Sequence, residues 1–198
     1  MKKRIKWLAV AALIILPVLL GVKIFQRELA ERTYRSAVEK RVGLDRAAEL
    51  PDGLHIALCG TGSPLPNPNR AGACNIIIAG PHMFLVDAGE GAARNVALMG
   101  LPLAKLEAVF LTHFHSDHID GMGPVMLMRW TGGPANAPLP VYGPNGVDQV
   151  IAGFNQAYAI DNSYRTAHHG PAIAPPAGSG ASAQAFDLPD AGKGDTAV

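Results

Sequence analysis

The chain has 198 residues, of which 48% are apolar, and its formal net charge is +1. These values leave room for one folded domain and a short additional segment, and the balanced charge gives no strong electrostatic footprint for nucleic acid. Glycine (22 residues) and proline (16 residues) are abundant, which favours a loop-rich α/β protein over a helical bundle.

The N-terminal segment has lysine and arginine among its first six residues and is then uncharged from Leu8 to Val22. About 20 apolar residues are enough to cross a bilayer, so residues 1–25 are predicted to form a transmembrane helix that acts as a signal anchor. Lys23 and Arg27 stand where a cleavage site would be, which disfavours the alternative of secretion after cleavage. Because positive residues stay on the cytoplasmic side, the rest of the chain is expected on the periplasmic side of the inner membrane.

Three regions are therefore predicted: the anchor, a charged helical spacer over residues 26–52, and a folded domain over residues 53–198. In this domain we predict a strand over residues 54–58, a hairpin over 74–86 and a helix over 90–99. Cys59 and Cys74 could form a disulfide in an oxidising compartment, or they could remain as two buried thiols on neighbouring strands.

The densest group of metal-ligating side chains follows a predicted buried strand over residues 106–111. Imidazole nitrogen and carboxylate oxygen are donors that zinc favours. Alternate residues of an extended segment point the same way, so His113 and His115 can reach one ion. Where the chain turns, Asp117 and His118 can face a second ion, while Asp120 either orients a ligand or caps the next helix.

The remainder is predicted as helix over residues 119–130, strand over 139–142 and a helix from Asn145 to about residue 160. Tyr164 and Arg165 fall in a predicted loop over residues 161–170. They are candidate substrate contacts, although an ordinary polar loop explains them equally well. Residues 171–185 are rich in alanine, proline, glycine and serine and are predicted to be a flexible linker.

The segment from Thr112 to Gly121 contains His-x-His-x-Asp-His after a strand, and in this it resembles the metallo-β-lactamase superfamily. Residues 59–64 (Cys-Gly-Thr-Gly-Ser-Pro) and 87–91 (Asp-Ala-Gly-Glu-Gly) are similar to the branch that contains ribonuclease Z and its arylsulfatase-like relatives. The resemblance covers about residues 54–170, and it implies an α/β fold that is the N-terminal half of an αββα sandwich.

The resemblance also implies two zinc ions per complete protein. His113 and His115 would bind one ion, and Asp117 and His118 would bind the other. Asp87 would lie behind the metal loop and support it, and Thr112 and Asp120 would contact ligands rather than metal.

The implied activity is hydrolysis of a phosphodiester, an aryl sulfate or a related small-molecule ester by a metal-activated hydroxide. Asp117 would be the catalytic residue, because it binds metal and orients the nucleophile. Cleavage of tRNA 3′ ends is the alternative implied by ribonuclease Z, but the predicted export and the balanced charge disfavour a nucleic-acid partner.

In the superfamily the remaining ligands come from the second half of the fold, so we expect little or no activity from these residues alone. A fragment that binds metal or a partner without catalysis is the competing hypothesis. Half of a sandwich would also expose an apolar sheet face, which favours association, for example as a homodimer.

Overall fold

The computed structural model describes residues 2–40, 43–65, 67–133 and 135–187. The chain divides into two compact units, residues 1–44 and residues 45–198, and each is described by itself. The first unit contains one helix, α1 (Lys2–Glu39).

The predicted transmembrane helix over residues 1–25 is not supported. Among the residues that the structure describes, no helix combines the length and the apolar character needed to cross a membrane. The predicted boundary at residue 25 is not a structural break either, because α1 continues through it and ends at Glu39, well before the predicted end of the spacer. An ion pair between Arg35 and Glu31 (2.8 Å) lies on this later, charged part of the helix.

The second unit is built on a six-stranded mixed sheet in which the strands follow their order in the sequence. The first two pairings are antiparallel and the other three are parallel. The elements are β1 (Leu54–Gly60), β2 (Cys74–Ala79), β3 (His82–Ala88), α2 (Ala92–Leu98), β4 (Leu106–Phe110), α3 (Ser116–Ile119), α4 (Met122–Thr131), β5 (Leu139–Pro144), α5 (Val147–His169) and β6 (Ala181–Phe186).

The core lies between one face of the sheet and the connecting helices. Right-handed crossovers between parallel strands in sequential order bring their helices to the same face of the sheet. The buried side chains accordingly alternate along the strands, as with Ile76 and Ile78 in β2, and meet apolar residues of the helices such as Val96, Met122 and Ile151.

The opposite face of the sheet keeps large apolar side chains exposed, as the sequence predicts for half of a sandwich. On β1, Leu54, Ile56 and Leu58 are 70%, 63% and 59% exposed. Phe110 and Tyr142 lie side by side on the same face, with ring centroids 5.1 Å apart. The homodimer suggested by such a face stays a prediction.

Two predictions for the C-terminal region are wrong. The helix predicted to end near residue 160 continues through the supposed loop to His169 and ends at Gly170, whose φ of 83° favours glycine. The predicted flexible linker contains β6, whose small residues pair with β5. The first residue of β6 is bound by Asn155, whose side chain donates to the carbonyl oxygen of Ala181 (2.8 Å) and accepts from the N–H of Ala181 (2.9 Å).

A disulfide joins Cys59 at the end of β1 to Cys74 at the start of β2, so the first of the two predicted states is the one present. The two Cα atoms are 5.0 Å apart, and both residues are buried. The bond closes the loop that connects the two strands.

Because the two cysteines are 15 positions apart, loss of the disulfide should lower the free energy of unfolding by about 3 kcal/mol. We expect this loss in the double variant Cys59→Ala/Cys74→Ala, measured by urea unfolding. Reducing agent should produce a similar loss in the parent protein and no further loss in the variant. Equal stability of the oxidised parent and the variant would contradict the prediction.

Candidate metal centre

The residues of the predicted metal motif lie at the edge of the sheet where β3, β4 and β5 all end. These strands are parallel, so the segments that follow them meet at one edge. Asp87 is near the end of β3, the motif follows β4, and the turn over residues 143–146 begins with the last two residues of β5.

The motif combines an extended segment with the first turn of a helix. His115 has extended backbone angles (φ −63°, ψ 147°), and α3 begins at Ser116. Nε2 of His113 lies 3.1 Å from Nδ1 of His115. Nε2 of His118 lies 3.6 Å from Oδ2 of Asp117. The rings of His113 and His118 are 4.0 Å apart between centroids, so the two pairs are neighbours.

Both pairs have a donor spacing that suits a zinc ion. Two donors at about 2.1 Å from one tetrahedral zinc ion lie roughly 3.4 Å from each other. The distances of 3.1 Å and 3.6 Å bracket this value. Within the described ranges no group of three or more histidine, cysteine, aspartate or glutamate side chains is arranged to hold an ion. The described donor set therefore fits two ligands for each of two ions and completes neither coordination sphere.

Asp87 is a buried carboxylate that accepts hydrogen bonds from the motif. Its backbone adopts the left-handed conformation (φ 58°), and the residue is 4% exposed. The carboxylate accepts hydrogen bonds from the Thr112 N–H (2.8 Å), the Thr112 hydroxyl (2.8 Å) and Nδ1 of His118 (2.8 Å). Asp87 thus holds Thr112 and His118 by hydrogen bonds, and the supporting role of Asp87 and Thr112 toward a metal stays a prediction.

This network assigns the tautomers of two histidines. A carboxylate only accepts, so Nδ1 of His118 carries the proton and Nε2 keeps its lone pair. The Thr112 hydroxyl donates to Asp87, so its oxygen accepts from Nδ1 of His113 at 3.0 Å. Nε2 of His113 therefore also keeps its lone pair, and both of these Nε2 atoms belong to the donor pairs.

Three glycines allow the backbone to pack directly beneath the motif. A Cβ atom at Gly89 would lie 2.2 Å from the carbonyl oxygen of Asp117, and one at Gly72 would lie 2.8 Å from the same atom. A Cβ atom at Gly121 would lie 2.1 Å from the carbonyl oxygen of Gly89. Hydrogen bonds from Gly89 N–H to Ala73 and from Gly121 N–H to Ala88 (both 2.8 Å) join these segments.

An open cleft of about 550 Å³ borders the motif on the side of the loop between β1 and β2. Asp120, at the end of α3, lines this cleft and does not cap α4 with its side chain. The lining residues come from this loop, from the start of the segment after β3 and from α3: Ser63, Pro64, Leu65, Asn67, Pro68, Arg70, Gly72, Glu90, Ser116, Asp117 and Asp120.

Sequence reasoning did not single out Arg70 and Glu90. A signal for Arg70 was present, since it is the single charged residue between Gly60 and Cys74. Conversely, the candidate substrate contacts Tyr164 and Arg165 lie on α5 and are not among the residues that line the cleft. Arg165 pairs instead with Asp161 (2.7 Å), one helical turn away.

Comparison with known proteins gives matches over the same region. The family model of the anti-Pycsar protein Apyc1 matches residues 54–138. A ribonuclease Z of Mycobacterium avium (strain 104) is 44% identical over 126 residues, which are 63% of this chain and 45% of that protein. A ribonuclease Z of Mycobacterium bovis (strain BCG / Pasteur 1173P2) is 45% identical over 125 residues, which are 62% of this chain and 45% of that protein.

Among solved structures, the metallo-β-lactamase fold protein YhfI from Bacillus subtilis is similar with a TM-score of 0.46 and 29% identity, over 52% of this chain and 42% of that one. The chain spans about half the length of the relatives named ribonuclease Z. These relatives agree with the ribonuclease Z part of the resemblance, and they do not support its arylsulfatase part.

Proposed function

We propose that this protein takes part in zinc-dependent hydrolysis of a phosphodiester or related ester. The premise is that the matched part of the chain belongs to the metallo-β-lactamase superfamily, on its ribonuclease Z branch. The activity and the substrate are both proposals, since the chain covers only 45% of these relatives.

The observation that carries the proposal is the geometry of the two donor pairs. His113 with His115, and Asp117 with His118, have spacings of 3.1 Å and 3.6 Å that suit one zinc ion each. When bound, a zinc pair supplies a nucleophile at neutral pH and neutralises the negative charge that develops during hydrolysis. Further ligands are required in addition to these four residues.

The other residues of the centre have roles that follow from their contacts. Asp87 and Thr112 hold the Nε2 lone pairs of His113 and His118 ready to bind metal, which a change of tautomer would prevent. Asp117 is 12% exposed in its side chain and lines the cleft, so it can contact both metal and nucleophile.

A phosphodiester is the substrate class that we favour among esters. Arg70 lines the cleft and supplies a guanidinium group, which suits the oxygens of a phosphate. Cleavage of tRNA 3′ ends is the second candidate, and the names of the relatives favour it. The net charge of +1 disfavours it, because binding of a long polyanion is driven by clustered cations.

Turnover and metal content test the proposal together. Bis-p-nitrophenyl phosphate, an aryl sulfate, a lactone and a precursor tRNA should be offered to the zinc-loaded protein and to the chelated protein, using this chain and the longest product of its gene. Zinc content should be measured on the same samples. We expect stoichiometric zinc and zinc-dependent cleavage of the phosphodiester by the longest product.

Alanine variants test whether zinc binding and turnover depend on the metal motif. His113→Ala and Asp117→Ala should each lose zinc and turnover, whereas His82→Ala should keep both, because His82 is exposed at the other end of β3 and pairs with Glu107. Absence of bound zinc in the parent protein would overturn the proposal. Zinc binding without turnover of any substrate would favour a metal-binding protein without catalysis.

A location outside the cytoplasm also stays a proposal. Its support is the Cys59–Cys74 disulfide, because structural disulfides persist mainly in oxidising compartments.

A further inference from the structure

The metal motif is attached to the sheet on two sides. On the β3 side, Asp87 binds Thr112 and His118. On the β5 side, the N–H of Leu111, directly before the motif, donates to the carbonyl oxygen of Tyr142 (2.8 Å). Within the motif, Phe114, the residue between the two histidines of the first donor pair, makes an apolar contact on this side.

Phe114 sits against a turn that has no side chains at the points of contact. Cβ atoms added at Gly143 and Gly146 would each lie 3.4 Å from a ring carbon of Phe114, and Gly146 has a φ of 105° that favours glycine. The ring is half-buried and packs against the apolar core. We refer to the turn over residues 143–146 as the phenylalanine seat.

The direction of Phe114 is linked to the direction of its neighbours. In an extended segment, residue 114 points away from residues 113 and 115. A ring that is fixed on the phenylalanine seat therefore fixes the opposite direction for both imidazoles. His118 does not depend on this contact, because it lies in α3 and is held by Asp87.

We infer that Phe114 is a positioning residue that keeps His113 and His115 at the spacing needed to share one zinc ion. The expected effect on zinc affinity rests on the proposed function. The packing of the Phe114 ring against the phenylalanine seat can be tested in the metal-free protein.

The test compares Phe114→Ala and Phe114→Leu with Phe154→Ala. Phe154 is a matched control, since it is also a half-buried phenylalanine packed against the core, but it lies on α5 and is not part of the metal motif. Three quantities are measured for each protein: the melting temperature, zinc affinity by competition with a chromophoric chelator, and backbone hydrogen exchange over residues 111–118 in the metal-free protein.

We expect Phe114→Ala to weaken zinc binding roughly 10–100-fold, as is usual for residues that orient ligands. Exchange over residues 111–118 should become faster, and Phe114→Leu should recover most of both losses. Phe154→Ala should lower the melting temperature while zinc affinity stays within about twofold of the parent, because Phe154 is not part of the metal motif.

The inference is overturned if Phe114→Ala and Phe154→Ala weaken zinc binding equally, or if Phe114→Ala leaves local exchange unchanged. If the parent binds no zinc, the proposed function fails, and hydrogen exchange alone tests whether Phe114 holds residues 111–118 in place. Faster exchange in Phe114→Ala but not in Phe154→Ala then supports the phenylalanine seat.

Discussion

Replacement of Asp87 by asparagine should weaken zinc binding roughly 10–100-fold. Both carboxylate oxygens of Asp87 accept hydrogen bonds, from Thr112 and from Nδ1 of His118. An amide has only one accepting oxygen, so at least one of these donors would face an NH₂ group. The Nε2 lone pairs of His113 and His118 would then no longer be fixed toward the metal.

Asparagine makes this a test of hydrogen bonding rather than of backbone strain. Asp87 has a φ of 58°, and asparagine tolerates this left-handed conformation better than most residues. A buried donor without an acceptor should also lower the free energy of unfolding by about 1–3 kcal/mol. Chelator competition and urea unfolding measure the two effects.

Asp45→Asn is the matched control for this substitution. Asp45 is an aspartate of the same unit that pairs with Lys105, and this hydrogen bond holds the pKa of Asp45 below its ordinary value. Asp45 is not part of the metal motif, so its variant should bind zinc as the parent does. Equal zinc affinity of Asp87→Asn and Asp45→Asn would contradict the role given to Asp87.

The candidate ligands could be predicted from sequence because all four lie within six consecutive residues. Their pairing follows from local rules: alternation in an extended segment before Ser116 and a helical turn after it. The contact between Phe114 and Gly146 could not be predicted in this way, because it depends on the neighbouring position of β4 and β5. The same holds for Arg70, which the fold of a long loop brings to the cleft.

The fold shows the same division between local and long-range information. The strands before residue 144 have clear apolar patterns, and their bounds are close to those predicted. β6 has a weak pattern, and it exists because β5 offers a free edge and Asn155 binds its first residue. The polar composition of residues 161–170 favours a loop. The helix α5 nevertheless continues there, because no glycine or proline occurs between Gly153 and Gly170 and because Asp161 pairs with Arg165 one helical turn away.

Replacement of Gly89 by alanine should strongly destabilise the fold around the metal motif. The added Cβ would lie 2.2 Å from the carbonyl oxygen of Asp117, 2.6 Å from the carbonyl carbon of Gly72 and 2.7 Å from the N atom of Ala73. All three are backbone atoms, so no side-chain rotation relieves the overlap. The metal motif and the loop that ends at β2 would have to move apart, at a cost that we expect to exceed about 3 kcal/mol.

The comparison that isolates this steric effect uses two further glycines. Gly153→Ala in α5 meets no atom within 4 Å and should raise the free energy of unfolding by about 0.5–1 kcal/mol, since alanine favours helix. Gly72→Ala would place its Cβ 2.8 Å from the same Asp117 oxygen and should have a smaller effect than Gly89→Ala. Because Asp117 is itself a candidate ligand, zinc affinity should fall in the order of these overlaps. A variant Gly89→Ala that unfolds at the same urea concentration as Gly153→Ala would show that the segments beneath the metal motif are not closely packed.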